Sequence, residues 1–142
     1  MRNVLIIIAV FSISLFLACS PKQQSAVEYM NELSSQLVSC TTEAEYDKVY
    51  EEINALKDDA RFSNNDDLSA NEKLEIVKGM AALVHKALAV KAILYVMPES
   101  VTPTSQDMSS LVDECINNNA NVHSQPYSDV KAIVYTYYKI SE

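Results

Sequence analysis

The chain has 142 residues, of which 49% are hydrophobic and 21% are charged, so its composition predicts one folded domain and excludes a disordered chain. It contains one glycine and four prolines, which leaves few residues for tight β-turns and favours helices. Its formal net charge is −8 at pH 7, so it lacks the general basic footprint with which proteins bind nucleic acid.

The first element in chain order is an apolar segment that begins shortly after Arg2. It covers residues 4–18 and is interrupted only by Ser12 and Ser14. A helix that crosses a membrane needs about 20 apolar residues, whereas a shorter run suits the apolar core of a secretory signal peptide. We therefore predict that residues 1–18 are a signal peptide, and an anchor helix that stays in place is the alternative.

The apolar run ends in Phe16-Leu17-Ala18-Cys19, and the polar Ser20 follows at once. This stretch resembles the lipobox of bacterial lipoproteins: Ala18 and Cys19 match the pattern, and Phe16 stands where the family usually has leucine. The resemblance implies cleavage before Cys19, which then carries a thioether-linked diacylglycerol and an N-linked acyl chain such as palmitate. In this family, serine after the cysteine implies transit to the outer membrane of a Gram-negative cell, and the lack of an acidic cluster after Cys19 implies that the protein faces the periplasm. Several acyl chains give stable anchoring.

A polar tether follows the predicted lipidation site. We assign residues 19–25 to the lipidated cysteine and tether, and residues 26–142 to an acidic helical domain. The six residues Ser20–Ser25 reach at most about 20 Å, so the domain is expected close to the membrane. Without residues 1–18 the formal charge is −9, from 10 basic and 19 acidic side chains.

Two amphipathic helices are predicted at the start of this domain, because apolar residues recur there at helical spacing. The first stripe consists of Ala26, Met30, Leu33, Leu37 and Cys40, and the second of Tyr46, Val49, Tyr50, Ile53 and Leu56. Thr42 and Glu45 have the spacing of a capping box, in which the threonine hydroxyl and the glutamate carboxylate satisfy backbone amides. The second helix is therefore predicted to begin after Thr42.

The longest predicted helix covers Ala70–Met97 and opens with a second capping box, formed by Ser69 and Glu72. It carries two apolar stripes, so we expect it to be central, with neighbours on both sides. One stripe is Leu74, Val77, Ala81, Val84 and Leu88, and the other is Ile76, Met80, Leu83, Ala87, Val90 and Leu94. Gly79 lies inside this helix, and we interpret it as the site of a close helix crossing, with a bend as the alternative.

Two further helices complete the prediction. The first has a short stripe of Met108, Leu111, Val112 and Cys115. The final segment, Tyr127–Ile140, fits either an alternating strand or a helix with Tyr137 in the core, and a lone strand would have nothing to pair with. The predicted fold is therefore all-α: a small bundle of about five antiparallel helices with a long central helix.

The residues with reactive side chains are few. Cys40 and Cys115 both lie on apolar stripes, and in an oxidising periplasm they can form a disulfide; two separate buried thiols are the alternative. His85 and His123 are the two histidines, and no spacing links either of them to a cysteine or to a metal-ligand pattern. We therefore predict no catalytic residues, no metal and no cofactor.

These observations predict a membrane-anchored lipoprotein with a non-enzymatic role as an accessory or protein-interaction module. The alternative is an inhibitor or immunity-type protein whose acidic surface neutralises a basic partner. An enzyme is a third possibility, which the shortage of histidines, glycine-rich loops and metal motifs disfavours.

Overall fold

The computed structural model of the chain describes residues 24–63 and 66–141, and all regular secondary structure in this part is helical. The α-helices are α1 (Ala26–Ser39), α2 (Glu43–Ala55), α3 (Ala60–Ser63), α4 (Ala70–Val96), α5 (Ser105–Asn117) and α6 (Ser128–Tyr137). One 3₁₀ turn, Leu56–Asp58, joins α2 to α3. The predicted all-α fold with a long central helix is confirmed, and the final segment is a helix rather than a strand.

The predictions for the N-terminal segment fall outside this part of the chain. The predicted signal peptide, the predicted lipidation site Cys19 and residues 20–23 of the predicted tether precede the first described residue, Gln24. Ser25, the last tether residue, caps α1, because its side chain accepts a hydrogen bond from the amide of Glu28 and the Glu28 carboxylate accepts one from the amide of Ser25. The end of the tether is therefore part of the fold.

The predicted capping boxes are confirmed at α4 and only in part at α2. Ser69 and Glu72 cap α4 reciprocally, as the spacing predicts. At α2 the Thr42 hydroxyl accepts from the amide of Glu45, but the Glu45 carboxylate accepts from the amide of Thr41, at 2.7 Å, instead of from that of Thr42. Both arrangements satisfy amides that have no partner within their helix.

Helices α1 and α2 run antiparallel, whereas α1 and α4 are parallel neighbours. Near its start α1 places Met30 against Gly79 of α4, and one turn later Ser34 accepts a hydrogen bond of 2.8 Å from Lys86. These contacts advance in the same direction along both helices. The prediction that neighbouring helices are all antiparallel is therefore wrong for this pair, because α2 returns the chain before α4 begins.

The contact at Gly79 confirms the predicted close crossing. A Cβ atom added at Gly79 would lie 2.5 Å from Cε and 3.1 Å from Sδ of Met30. The absence of a side chain at this position lets the methionine of α1 lie directly on the backbone of α4. Glycine in a helix interior costs about 1 kcal/mol relative to alanine, and this packing offsets the cost.

The buried residues form one cluster to which α1, α2, α4, α5 and α6 contribute. Two predicted core tyrosines lie outside it. Tyr50 is 41% exposed and stacks on Tyr46, with the ring centroids 5.5 Å apart. Tyr137 is 36% exposed, and its hydroxyl donates a hydrogen bond of 3.0 Å to Asp107. The prediction of Tyr137 as a core residue is wrong because the phenol reaches the polar start of α5, and Tyr127 is buried instead.

Helices α5 and α6 form a hairpin that is shorter than α4. Helix α4 has 27 residues and is about 40 Å long, whereas α5 has 13 residues and α6 has 10, or about 20 and 15 Å. The connection between α5 and α6 reaches only the middle of α4, where the ring centroids of His123 and His85 are 6.1 Å apart. The hairpin therefore covers the second half of α4 and leaves one face of the first half open.

Candidate interaction surface on helix α4

The open face of α4 carries the first of its two predicted apolar stripes. We call Leu74, Val77, Ala81, Val84 and Leu88 the α4 stripe. Leu74 is 49% exposed, Val77 64% and Val84 46%, whereas Ile76 and Leu83 on the other stripe are buried. The prediction that neighbours cover both stripes is therefore wrong for the first half of the helix, because α1 packs on another face there and the α5–α6 connection reaches only the middle of α4.

The spacing of the α4 stripe is that of a coiled-coil seam. Its members follow one another at intervals of three and four residues. Leu74, Ala81 and Leu88 thus occupy a positions of a heptad repeat, and Val77 and Val84 occupy d positions. The stripe spans 15 residues, or about 21 Å of helix, which is two heptads.

A groove lies at the C-terminal end of the α4 stripe, where the α5–α6 connection begins to cover the helix. It has a volume of about 400 Å³, and its lining consists of Met80, Ala81, Val84, His85, Leu88 and His123. Three of these six residues belong to the α4 stripe itself. The stripe therefore passes from an open surface at Leu74 into a concavity at Leu88, a shape that suits an elongated apolar ligand better than a flat surface.

The charges beside the α4 stripe are basic, in contrast to the acidic domain. Lys73 and Lys78 flank the stripe at g and e positions of the heptad. The acidic residues of α4 are Glu72 and Glu75, and both precede the middle of the helix. Glu75 lies 3.7 Å from the Lys78 ammonium in a solvent-exposed pair, which contributes little to binding energy or stability. An approaching partner therefore meets lysines at both edges of the apolar stripe.

By length and composition α4 is the one described helix that is apolar enough to cross a membrane. Its lysines argue against that role, and one of them, Lys86, donates a hydrogen bond to Ser34 of α1. The apolar character of α4 is better explained by two separate faces: Ile76, Leu83 and their neighbours build the core, and the α4 stripe meets solvent.

A second concave region lies between the starts of α1 and α4, with a volume of about 490 Å³. Its apolar lining includes Val27, Leu68 and Ile76. Arg61 also lines it and binds Asp59 through two hydrogen bonds of 2.6 and 2.9 Å, and its guanidinium lies 4.2 Å from the centroid of the Tyr29 ring. These hydrogen bonds lower the pKa of Asp59 to about 2. Arg61 thereby fastens α3 to the start of α1, which is a structural role.

The cysteines are placed as buried, free thiols. Cys40 ends α1 and its thiol donates to the carbonyl of Gln36, whereas Cys115 lies in α5. Burial raises the pKa of the Cys115 thiol to about 11, with a smaller contribution from Glu114, and burial also raises the pKa of Cys40. Both thiols are therefore protonated and weakly nucleophilic at neutral pH. A disulfide between them stays a prediction.

His85 and His123 are brought together by the fold at the groove of the α4 stripe. The charged neighbours that act on the two thiols are Glu45 and Glu114, so the structure does not pair either cysteine with an imidazole base. Within residues 24–63 and 66–141, no group of three or more His, Cys, Asp or Glu side chains is arranged to hold a metal ion.

The exposed α4 stripe is the feature that the sequence pattern misassigned, although the sequence contains a signal for it. Both stripes of α4 repeat at helical spacing, so periodicity alone predicts that both are buried. Part of the missing information lies in the lengths of the predicted helices, because a hairpin of two short helices cannot also cover the first half of a helix about 40 Å long. Comparison with family models, with curated proteins and with solved structures finds no match to this chain.

Proposed function

We propose that this chain is an envelope lipoprotein, anchored through Cys19 in the outer membrane, that faces the periplasm and acts as a non-enzymatic accessory or protein-interaction module. The α4 stripe is the observation that carries the interaction role. An apolar stripe that is exposed over about 15 Å, from Leu74 to Val84, and edged by charged residues is typical of a surface that binds another macromolecule. The lipobox resemblance of residues 16–19 supports the location.

The chemistry of the described residues favours binding over catalysis. The two thiols are the strongest nucleophiles of the domain, and burial keeps both protonated. Ser25 is ordered as the cap of α1, so no more than about 20 Å of chain separates the lipidated cysteine from the bundle. An interaction surface on this bundle would therefore work close to the membrane.

Replacing Cys19 tests the anchor. We expect the wild-type protein, expressed in a Gram-negative cell, to fractionate with the outer membrane and to carry the mass of a cleaved, triacylated chain. Cys19→Ser should lose both properties, because the thioether needs the sulfur atom. The matched control is Cys115→Ser, which should keep the lipid mass. An unchanged mass and membrane association of the Cys19→Ser protein would contradict the proposed function.

The inhibitor alternative has one supporting observation, the carboxylates on the outer side of α2. Glu43, Asp47 and Glu51 are exposed there, together with Glu45 and Glu52. A complex that depends on these groups would weaken strongly between about 50 and 500 mM salt, because exposed charges are screened. A complex on the α4 stripe would weaken less over that range, because salt screens only its contacts with the flanking lysines and leaves its apolar contacts in place.

A further inference from the structure

We propose that the α4 stripe binds an amphipathic helix of a partner protein, whose apolar a and d residues pack on the stripe and whose flanking e and g residues are acidic. This inference rests on the proposed function and names the kind of partner that the interaction module recognises. It follows from three properties of the surface: its spacing, its shape and its charge.

The spacing fits a helix because the α4 stripe keeps the alternation of three and four residues over two heptads. Side chains in this register form the holes into which the a and d side chains of a second helix insert. Ala81 in the middle of the stripe allows the two helices to approach closely. Leu74 and Leu88 at the ends supply the larger apolar contacts.

The shape of the surface also fits a helix. At its C-terminal end the stripe enters the groove beside His123. A helix bound there would also contact the α5–α6 connection on a second side. A flat bilayer would not enter this groove, and the stripe contains no aromatic residue of the kind that anchors proteins at a membrane interface.

The charges beside the α4 stripe determine which residues of the partner helix suit its e and g positions. Lys73 and Lys78 lie at the g and e positions, where coiled-coil helices form salt bridges between chains. Acidic residues on the partner would pair with them. In a parallel dimer of two copies of this chain, Lys73 of one copy would face Lys78 of the other, so like charges would meet. The surface is therefore better matched to a different helix than to itself.

The size of the surface indicates a weak or transient complex. Two helices in contact over about 21 Å bury less than the roughly 1,200–2,000 Å² of a standard stable interface. A dissociation constant in the micromolar range is therefore expected. Such an affinity suits a surface held near the membrane, where a partner anchored in the same membrane is present at high local concentration.

The test uses the full chain in phosphatidylcholine nanodiscs if it is lipidated, or in buffer if it is not, and two synthetic helical peptides. Both peptides have about 21 residues, or three heptads, with leucine at a and d; one has glutamate and the other lysine at e and g. Fluorescence anisotropy in low salt measures both affinities. We expect the glutamate peptide to bind at least about tenfold more tightly than the lysine peptide. Equal binding of the two peptides, or no binding, overturns the proposal.

Matched substitutions locate the binding surface. Val77→Asp should weaken binding of the glutamate peptide by about tenfold or more, because it places a negative charge in the exposed part of the stripe. The control, Val27→Asp, makes the same change at a valine that is 41% exposed in the other concave region. It should leave binding unchanged. If Val27→Asp weakens binding and Val77→Asp does not, the peptide occupies the α1–α4 cleft and the proposal is wrong.

A charge exchange tests the flanks. The double variant Lys73→Glu and Lys78→Glu should bind the lysine peptide more tightly than the glutamate peptide. If only apolar contacts mattered, the double variant would rank the two peptides as the wild-type protein does. Circular dichroism should report an unchanged fold, because both lysines are exposed. If Val77→Asp instead abolishes a dimer seen by sedimentation velocity, or binding to anionic vesicles, the occupant is a second copy or the membrane and the proposal fails. Since none of these measurements depends on Cys19, their outcome is separable from that of the anchor test.

Discussion

The two halves of α4 both carry apolar residues at helical spacing, but they lie in different surroundings. In the second half, α5 and α6 pack around the helix, and six residues are buried: Leu83, Ala87, Ala89, Val90, Ala92 and Ile93. In the first half the buried residue is Ile76, although Leu74 and Val77 are as apolar as their counterparts further along. The α5–α6 hairpin accounts for part of this difference, because its connection reaches only the middle of α4.

This comparison shows what an apolar stripe can and cannot report. A stripe at helical spacing reports that a helix has a face suited to contact with another apolar surface. Whether that surface belongs to the same chain depends on how far the neighbours reach. In the second half of α4 the contact is internal and stabilises the fold, whereas in the first half the same chemistry is available to a partner.

Truncating one buried and one exposed side chain of α4 should give the largest contrast. Ile93 is fully buried in the second half, so Ile93→Ala should lower the free energy of unfolding by about 2–5 kcal/mol through lost transfer energy and a cavity. Leu74→Ala, in the first half, should change it by less than about 0.5 kcal/mol, because the side chain is half exposed already. Urea denaturation followed by circular dichroism measures both values.

The reverse order of these two effects would contradict the comparison between the halves. A large loss in Leu74→Ala would mean that the α4 stripe is covered within the molecule or by a second copy. Repeating the Leu74→Ala measurement at several protein concentrations distinguishes these cases, because only a dimer makes stability depend on concentration.

The sequence predicted the helices well because each local signal agrees with the others along most of the chain. The stripe Met30, Leu33 and Leu37 is buried as predicted, and Ser69 with Glu72 starts α4 where the capping pattern lies. These features depend on residues within two turns of one another, so they can be read without knowing the tertiary structure.

The candidate surface could not be predicted in the same way, because it depends on contacts between distant parts of the chain. Val77 and Leu83 both lie on stripes with helical spacing. Leu83 shares a face with Gly79 and Lys86, which contact α1, and is buried, whereas Val77 faces solvent. The prediction for Tyr137 was wrong for a related reason. Its spacing fits the core, but its hydroxyl donates a hydrogen bond to Asp107 across the hairpin. Amphipathic side chains with a polar end often take such positions.

The start of the bundle should show a smaller effect that depends on pH. Hydrogen bonds from Arg61 lower the pKa of Asp59 to about 2 in the folded protein, from 3.8. A carboxyl with a depressed folded pKa stabilises the fold above its unfolded pKa, and this contribution is lost as pH falls through the folded value. Asp59→Asn should therefore reduce the decline in stability between about pH 4 and 2, by at most about 1 kcal/mol because the pair is partly open to solvent.

Thermal unfolding at pH 6 and at about pH 2.5 measures this change, with Asp47→Asn as the control at an exposed carboxylate on α2. If Asp59→Asn and Asp47→Asn have the same pH profile, Arg61 does not hold Asp59 as described. The two halves of α4 would then differ only in the helices that pack on them, and the contact of Arg61 with Asp59 would not stabilise the start of the bundle.

The smallest effect is expected where α1 crosses the first half of α4. Gly79→Ala gains about 1 kcal/mol of helix propensity, but the new methyl group displaces Met30 Cε, which costs a similar amount by moving the side chain from its preferred rotamer. The net change should stay within about 0.5 kcal/mol, whereas Gly79→Leu should destabilise the protein by about 1–3 kcal/mol through overpacking.

Ala82→Gly, at an exposed position of the same helix, measures the contribution of helix propensity alone. If Gly79→Ala stabilises the protein by as much as Ala82→Gly destabilises it, Met30 moves aside freely and the crossing exerts no constraint. A near-zero change, together with a loss in Gly79→Leu, means that α1 packs tightly on this half of α4 from one side, while the α4 stripe on the other face remains open.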